Sequence, residues 1–278
     1  MLRRHGLGQR RFQHGTTARR ERSRANRARL ANDGNVVYWL GGTGAGGLYV
    51  TAPLHVTTRD GVELSALRYG PPDAEIAVAF GHGFTGSQRN PKVIDLARRV
   101  AGAGIAFYTA DFRGHGASGG VSTLGEREVD DIDAVVTLAR RDHNRVVSVG
   151  ASMGGFIALR HAALGGGIDA VIAISSPATA DRPKLVRARL LEHFATTERG
   201  RRLLHRYGTR VGAVVPIAMA PVDLAAIAPV PVAIVHGRRD HYVPVLDAHA
   251  LYDRLAEPRR LVVLPNFGHG EAGFDAAF

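Results

Sequence analysis

Beyond Pro53 the sequence alternates short apolar runs with amphipathic stretches, and this rhythm constrains the chain more than any other feature. Short buried runs separated by helix-length amphipathic segments imply parallel strands joined by crossover helices. Strands are expected at His55 to Thr58, Glu63 to Tyr69, Ile76 to Phe80, Ile105 to Asp111, Arg145 to Gly150, Ala170 to Ile174, Val232 to Gly237 and Arg260 to Leu264. The first two form an antiparallel hairpin turning at Asp60-Gly61. Helices are expected at Pro91 to Ala103, Glu126 to Arg141, Met153 to Leu164 and Val245 to Leu255. The block 177–228 breaks the rhythm and reads as two or three helices inserted over the sheet as a cap. The predicted fold class is therefore α/β: a mostly parallel eight-stranded sheet over residues 55–278, with helices on both faces and a short helical cap.

The chain of 278 residues carries a formal charge of +11, but the charge is unevenly placed. Residues 1–30 hold ten arginines against Glu21 alone, while the rest of the chain is nearly neutral. This argues against nucleic acid as the partner of the main body. Residues 1–35, dense in like charge and poor in apolar side chains, are expected to be a disordered basic arm. Residues 36–54 carry no charged residue and five glycines. They read as a Gly-rich linker or as a weak signal or membrane segment, diluted below the roughly twenty apolar residues that a spanning helix needs. Gly42, Gly44 and Gly47 have a dinucleotide-loop spacing. The β-branched, Pro-interrupted sequence after them is unsuited to the helix such a site requires. From Asp181 to Arg210 the cap has a local charge of +6, which reads either as a solvated face or as a surface attracting anionic substrates or lipid headgroups. The chain has no cysteine, which excludes disulfides, thiolate metal sites and thiol nucleophiles.

Gly150-Ala151-Ser152-Met153-Gly154-Gly155 stands between the strand run RVVSVG and an apolar-periodic helix. A serine on such a turn presents its hydroxyl at the carboxyl edge of the sheet, while Gly150 and Gly154 allow close backbone packing. The Met153 N–H, at a helix amino terminus, can donate to an oxyanion. A serine hydroxyl needs a base to take its proton and a further group to orient that base. Asp240 follows the strand run VAIVHG and His269 follows LVVLP, so both belong to loops at the same sheet edge. Competing readings make Ser152 a helix cap, Asp240 an ordinary turn residue, and His236, His241 and His269 a metal site, although no ligand-spacing motif on one element supports the last.

In these motifs and their order the chain resembles the α/β-hydrolase family, esterases and monoacylglycerol lipase-like enzymes among them, from roughly Pro53 onward. The resemblance implies that Gly81-His82-Gly83-Phe84-Thr85-Gly86 is the oxyanion loop, with the Phe84 N–H joining that of Met153. It makes His82 and Gly83, with Gly150 and Gly154, supports of the site. It also makes Asp111-Phe112-Arg113-Gly114-His115-Gly116-Ala117-Ser118 a structural loop. His82 and His115 are expected to brace loops, and His241 to flank the acid.

The implied activity is hydrolysis of a carboxylic ester with an apolar acyl group through an acyl-enzyme on Ser152, with no cofactor and no metal. Leu185, Val186, Leu190, Leu191, Phe194, Leu203 and Leu204 of the cap are expected to line the acyl pocket. An acyl-CoA or other thioesterase is the alternative, and a non-catalytic ligand-binding or membrane-tethered protein the alternative of another class. The expected partners are a small ester substrate and an anionic membrane surface met by the arm and cap. The expected location is cytoplasmic or membrane-associated, with export left open. Only a short turn is expected after His269, where the family carries a full helix.

Overall fold

The structure, a computed structural model, describes residues 30–32, 35–40, 48–51, 53–179, 185–213, 220–226 and 228–274. Its strands are β1 (Leu30–Asn32), β2 (Asn35–Leu40), β3 (Leu48–Thr51), β4 (Leu54–Thr57), β5 (Glu63–Tyr69), β6 (Ile76–Gly81), β7 (Ala106–Ala110), β8 (Arg145–Ala151), β9 (Ala170–Ile174), β10 (Val232–Gly237) and β11 (Arg259–Leu264). The helices are α1 (Pro91–Gly102), α2 (Glu128–Arg140), α3 (Met153–Ala163), α4 (Val186–Thr196), α5 (Glu198–Arg206), α6 (Pro221–Ala226) and α7 (Val245–Arg254). The eight expected strands are β4 to β11, paired in the order β4-β5-β7-β6-β8-β9-β10-β11. The β4–β5 and β5–β7 pairs are antiparallel and the others parallel.

Side chains alternate across the strands, so one strand feeds two cores. In β7, Ala106, Tyr108 and Ala110 join a core with Ile132 and Val135 of α2 and Ile157 of α3. Phe107 of the same strand instead packs with Val93, Ala97 and Ala101 of α1 and with Phe274 beyond the last strand. All five β7 residues are buried, as continuous apolar runs require when helices cover both faces of a sheet.

The segment before Pro53 differs from the expected arm end and linker. β1, β2 and β3 pair antiparallel in sequence, and β3 meets β5 at Val50↔Tyr69, extending the sheet to eleven strands. The β-branched and aromatic runs NVVYWL and LYVT favour extended backbone, and such runs pair when an open sheet edge is available. The rest of the arm (1–29 and 33–34) and the glycine motif within 41–47 lie outside the described residues.

Register sets the site. Gly81 of β6 pairs with Gly150 of β8, Ala151 with Ile174 of β9, and Gly237 of β10 with Leu264 of β11. The carboxyl ends of β6, β8, β10 and β11 are thus level, and the loops carrying the candidate residues leave from one edge. The cap is fastened to the Asp111–Ser118 loop: Arg210 N–H donates to Gly114 O at 2.6 Å, Ser122 N–H to Arg210 O at 2.8 Å, and Gly116 N–H to Gly208 O at 3.0 Å. The loop is held from within by Asp111, whose Oδ1 accepts from Gln88 N–H at 2.8 Å and Oδ2 from Ala117 N–H at 3.0 Å.

Candidate active site

Ser152 links β8 to α3 with φ 54° and ψ −116°, a conformation L residues rarely adopt. Such a conformation costs about 1–3 kcal/mol and persists only where its surroundings hold it. Here Ser152 N–H donates to Ile174 O at 2.8 Å and Phe156 N–H to Ser152 O at 3.1 Å. The flanking glycines make the bend possible. A Cβ on Gly150 would lie 2.0 Å from Gly154 O, and one on Gly154 would lie 2.1 Å from Gly81 O. α3 therefore starts in backbone contact with β6 and β8, which no side chain at either glycine would allow. Met153 is its first residue, so its N–H belongs to the turn whose amides have no intrahelical acceptor.

The loops after β10 and β11 bring Asp240 and His269 to this serine. His269 Nε2 lies 2.9 Å from Ser152 Oγ, and His269 Nδ1 lies 2.8 Å from Asp240 Oδ2. Exposure grades along the relay, from an Asp240 side chain fully buried to a His269 side chain 18% exposed and a half-buried Ser152. Burial acts to raise the Asp240 carboxyl. Hydrogen bonds from His269 and from the Val243 and Tyr242 amides, at 2.9 and 2.8 Å, outweigh it and hold the group below its ordinary value. With Asp240 ionised, the Nδ1 proton is fixed and Nε2 is left as an acceptor toward the serine hydroxyl.

Two further side chains complete this corner. His241, expected to flank the acid, is exposed; His236 lies against it instead, with Nε2 at 3.0 Å from Val243 O and 3.5 Å from Asp240 Oδ2. Burial lowers the His236 pKa, which keeps it neutral. The Tyr242 ring centroid stands 4.7 Å from that of His269, and the Arg187 guanidinium of α4 lies 5.9 Å from the Tyr242 ring centroid, so the cap reaches the base through one aromatic ring.

The loop after β6 supplies the opposite wall. His82 Nε2 accepts from Phe112 N–H at 2.9 Å, so its proton is on Nδ1, which donates to Gly83 O at 2.8 Å. Burial first, and the adjoining His115 ring second, keep the His82 imidazole neutral by lowering its pKa. Gly83 O also accepts from Gly86 N–H at 2.9 Å. The Phe84 N–H belongs to the same peptide group as Gly83 O, so these two donors set its direction, and it meets no acceptor among the described residues. Gly83 N–H donates to Glu271 Oε1 at 2.5 Å.

Ser152, Asp240, His269, Phe84, Met153, His82, Gly83, Gly150 and Gly154 are thus all at one edge of the sheet. Sequence reasoning named His236 only in a competing metal-site reading, not as a neighbour of Asp240, and missed Glu271. The available signals were a histidine inside an otherwise apolar strand and an acid two residues after His269 in a mostly apolar segment. His236 and His269 are both engaged with Asp240, and among the described residues no group of three or more His, Asp or Glu is placed to hold a metal ion. Among the described residues no helix is long and apolar enough to cross a membrane.

The sequence model of a protein family described as "Serine aminopeptidase, S33" matches residues 72–215. A monoacylglycerol lipase of Mycolicibacterium smegmatis is 27% identical over 232 residues, covering 71% of this chain and 82% of that protein. The uncharacterized protein YfhR of Escherichia coli K12 is 27% identical over 240 residues, covering 79% of this chain and 73% of its own. Among solved structures, the Pyrococcus furiosus esterase Pf2001 superposes with a TM-score of 0.64 at 24% identity, covering 78% of this chain and 83% of that one. Est1E of Butyrivibrio proteoclasticus, solved with ferulic acid, does so with a TM-score of 0.58 at 22% identity, covering 78% and 90%. At these identities the structural likeness establishes the fold.

Proposed function

Because this chain belongs to the serine aminopeptidase S33 family of α/β hydrolases, we propose that it cleaves carboxylic esters by two acyl transfers through an acyl-enzyme on Ser152. His269 Nε2 takes the hydroxyl proton as Ser152 Oγ attacks the ester carbonyl, and Asp240 holds the imidazole and favours the imidazolium that forms. The N–H groups of Phe84 and Met153 receive the negative oxygen of the tetrahedral intermediate. His269 then returns the proton to the departing alcohol. Water next attacks the acyl carbonyl with His269 again as base, releasing the acid and free Ser152. No metal or organic cofactor enters this scheme.

The observation that carries the reading is the unbroken relay from Asp240 to His269 to Ser152, at 2.8 and 2.9 Å, beside a loop whose amide direction is fixed. It also weighs against a binding protein that has lost catalysis. An ester substrate is supported by the lipase and esterase among its relatives. The half-buried Leu185, Leu191 and Phe194 of the cap suit an apolar acyl group. A thioester is the second reading, favoured by the arginines of α4 and α5, which attract phosphate-bearing leaving groups. The same helices carry exposed Val186 and Leu190 among those arginines, a composition suited to an anionic lipid surface.

The test pairs a fluorophosphonate label, located by mass spectrometry, with turnover of p-nitrophenyl esters, acyl-CoA thioesters and aminoacyl anilides. Labelling at Ser152 and preference for esters are expected, and Ser152→Ala should abolish both while leaving the thermal midpoint in place. Turnover surviving in that variant rules out the nucleophile. Preference for thioesters or anilides moves the substrate class and keeps the machinery.

A further inference from the structure

Glu271 lies two residues after His269 in a 3-10 turn over Gly270–Gly273, with 9% of its surface exposed, and the acyl-transfer scheme above makes no use of it. We propose that Glu271 is a positioning residue of the oxyanion loop, whose carboxyl group grips the Gly83 N–H and thereby aims the Phe84 N–H at the reacting carbonyl. The proposal rests on the serine-hydrolase reading of the site.

Two consecutive peptide groups carry the argument. The Gly83–Phe84 peptide is held at its carbonyl end by His82 Nδ1 and Gly86 N–H. The His82–Gly83 peptide before it is held at its N–H end by Glu271 Oε1, at 2.5 Å across 188 residues of sequence. Without the second grip the loop could rotate about Gly83, which has no side chain to resist. A donor displaced by about 1 Å from a developing oxyanion loses most of its effect.

Glu271 is also close to the chemistry. A Cβ placed on Gly83 would lie 3.2 Å from Glu271 Oε2 and 3.3 Å from Ser152 Cβ, so the carboxyl group and the nucleophile border the same small space. The turn bearing Glu271 is itself pinned, because Gly270 N–H donates to Ser175 Oγ at 3.1 Å. One short segment therefore carries the base, in His269, and the brace for the oxyanion loop, in Glu271, so that the two move as one piece. Burying an acid is costly, and burial raises the Glu271 pKa while the Gly83 amide draws it back. An apolar residue would fill the position more cheaply and leave Gly83 N–H without its acceptor.

The test separates reach from charge. Glu271→Gln keeps the length and an accepting oxygen, Glu271→Asp keeps the charge and loses about one methylene of reach, and Glu271→Ala loses both. For a soluble p-nitrophenyl ester, kcat should fall about 10²-fold in the Ala and Asp variants and by less than about tenfold in the Gln variant, with KM within about twofold throughout. Fluorophosphonate labelling of Ser152 should slow in the same order. Asp retaining more activity than Gln overturns the proposal, as does an Ala variant within about twofold of the parent. Should the Ala protein not fold, the order of Gln and Asp decides alone. A parent protein that neither turns over nor labels at Ser152 sinks the serine-hydrolase reading itself. A parent that labels, with Glu271 variants that match it, sinks only the role of Glu271.

Discussion

At the scale of single residues, the site is a set of forced conformations held by specific partners. Ser152 keeps its left-handed φ because its N–H and carbonyl are both engaged and because Gly150 and Gly154 remove the side chains that would collide there. Asp240 accepts from two backbone amides and from His269, so all its hydrogen bonds favour the ionised form. Replacing it by Asn keeps the size but puts an amide where Oδ2 or Oδ1 must accept, and favours the wrong tautomer of His269. Asp240→Asn should lower kcat by about 10⁴ with little change in KM. A loss of only a few-fold, measured by steady-state ester turnover, would move the acid elsewhere; Asp223 is placed differently, exposed and facing Arg254.

Between elements, the cap contrasts with the sheet. α4 and α5 cross closely, since a Cβ on Gly200 would lie 2.4 Å from Phe194 Cα. Of the apolar residues expected to line a pocket, Val186, Leu190 and Leu203 are instead 80%, 54% and 39% exposed, and Leu204 is buried. Short amphipathic helices bury only a narrow stripe, which leaves Val186 and Leu190 turned outward and Leu203 lining a surface groove with Arg199 and Arg206. If this face meets anionic lipid, each arginine contributes about 1 kcal/mol near the surface. Arg199→Gln combined with Arg206→Gln should then weaken binding to phosphatidylglycerol vesicles about thirtyfold, and salt should weaken the parent likewise. Vesicle sedimentation that is equal for parent and double variant would leave the cap a solvated face.

At the scale of the whole molecule, a charge network centred on the buried Arg113 and Asp131 ties the β4–β5 hairpin, through the more exposed Asp60, to the helical layer. Arg113 bonds Asp131 of α2 and, at 2.7 and 2.9 Å, Asp60 at the hairpin turn. The Arg113 hydrogen bonds hold the Asp60 carboxyl well below the usual range, and Asp240 is lowered as well. For a carboxylate lowered on folding, the unfolded chain takes up the proton first. The stability it contributes is complete above the ordinary value of 3.8 and is lost as pH falls below it. Asp60→Asn should lower the thermal midpoint at neutral pH by about 2–4 °C, for about 1 kcal/mol, and the gap to the parent should close as pH falls below about 4. A gap constant from neutral to acid pH, read by calorimetry, would show that the pair adds nothing through its charge.

The sequence by itself determined the eight strands, the four crossover helices and the chain order of Ser152, Asp240 and His269. Apolar periodicity and glycine punctuation are local properties, and the nucleophile turn is specified by residues within a few positions of it. Only the tertiary structure decided what fills the gaps between distant loops. Glu271 reaches Gly83, His236 lies under Asp240 rather than His241, and β1 to β3 extend the sheet edge at β5. A hydrogen bond spanning 188 residues, or a strand that pairs because an edge is open, depends on where the sheet brings the chain. No local pattern encodes that position.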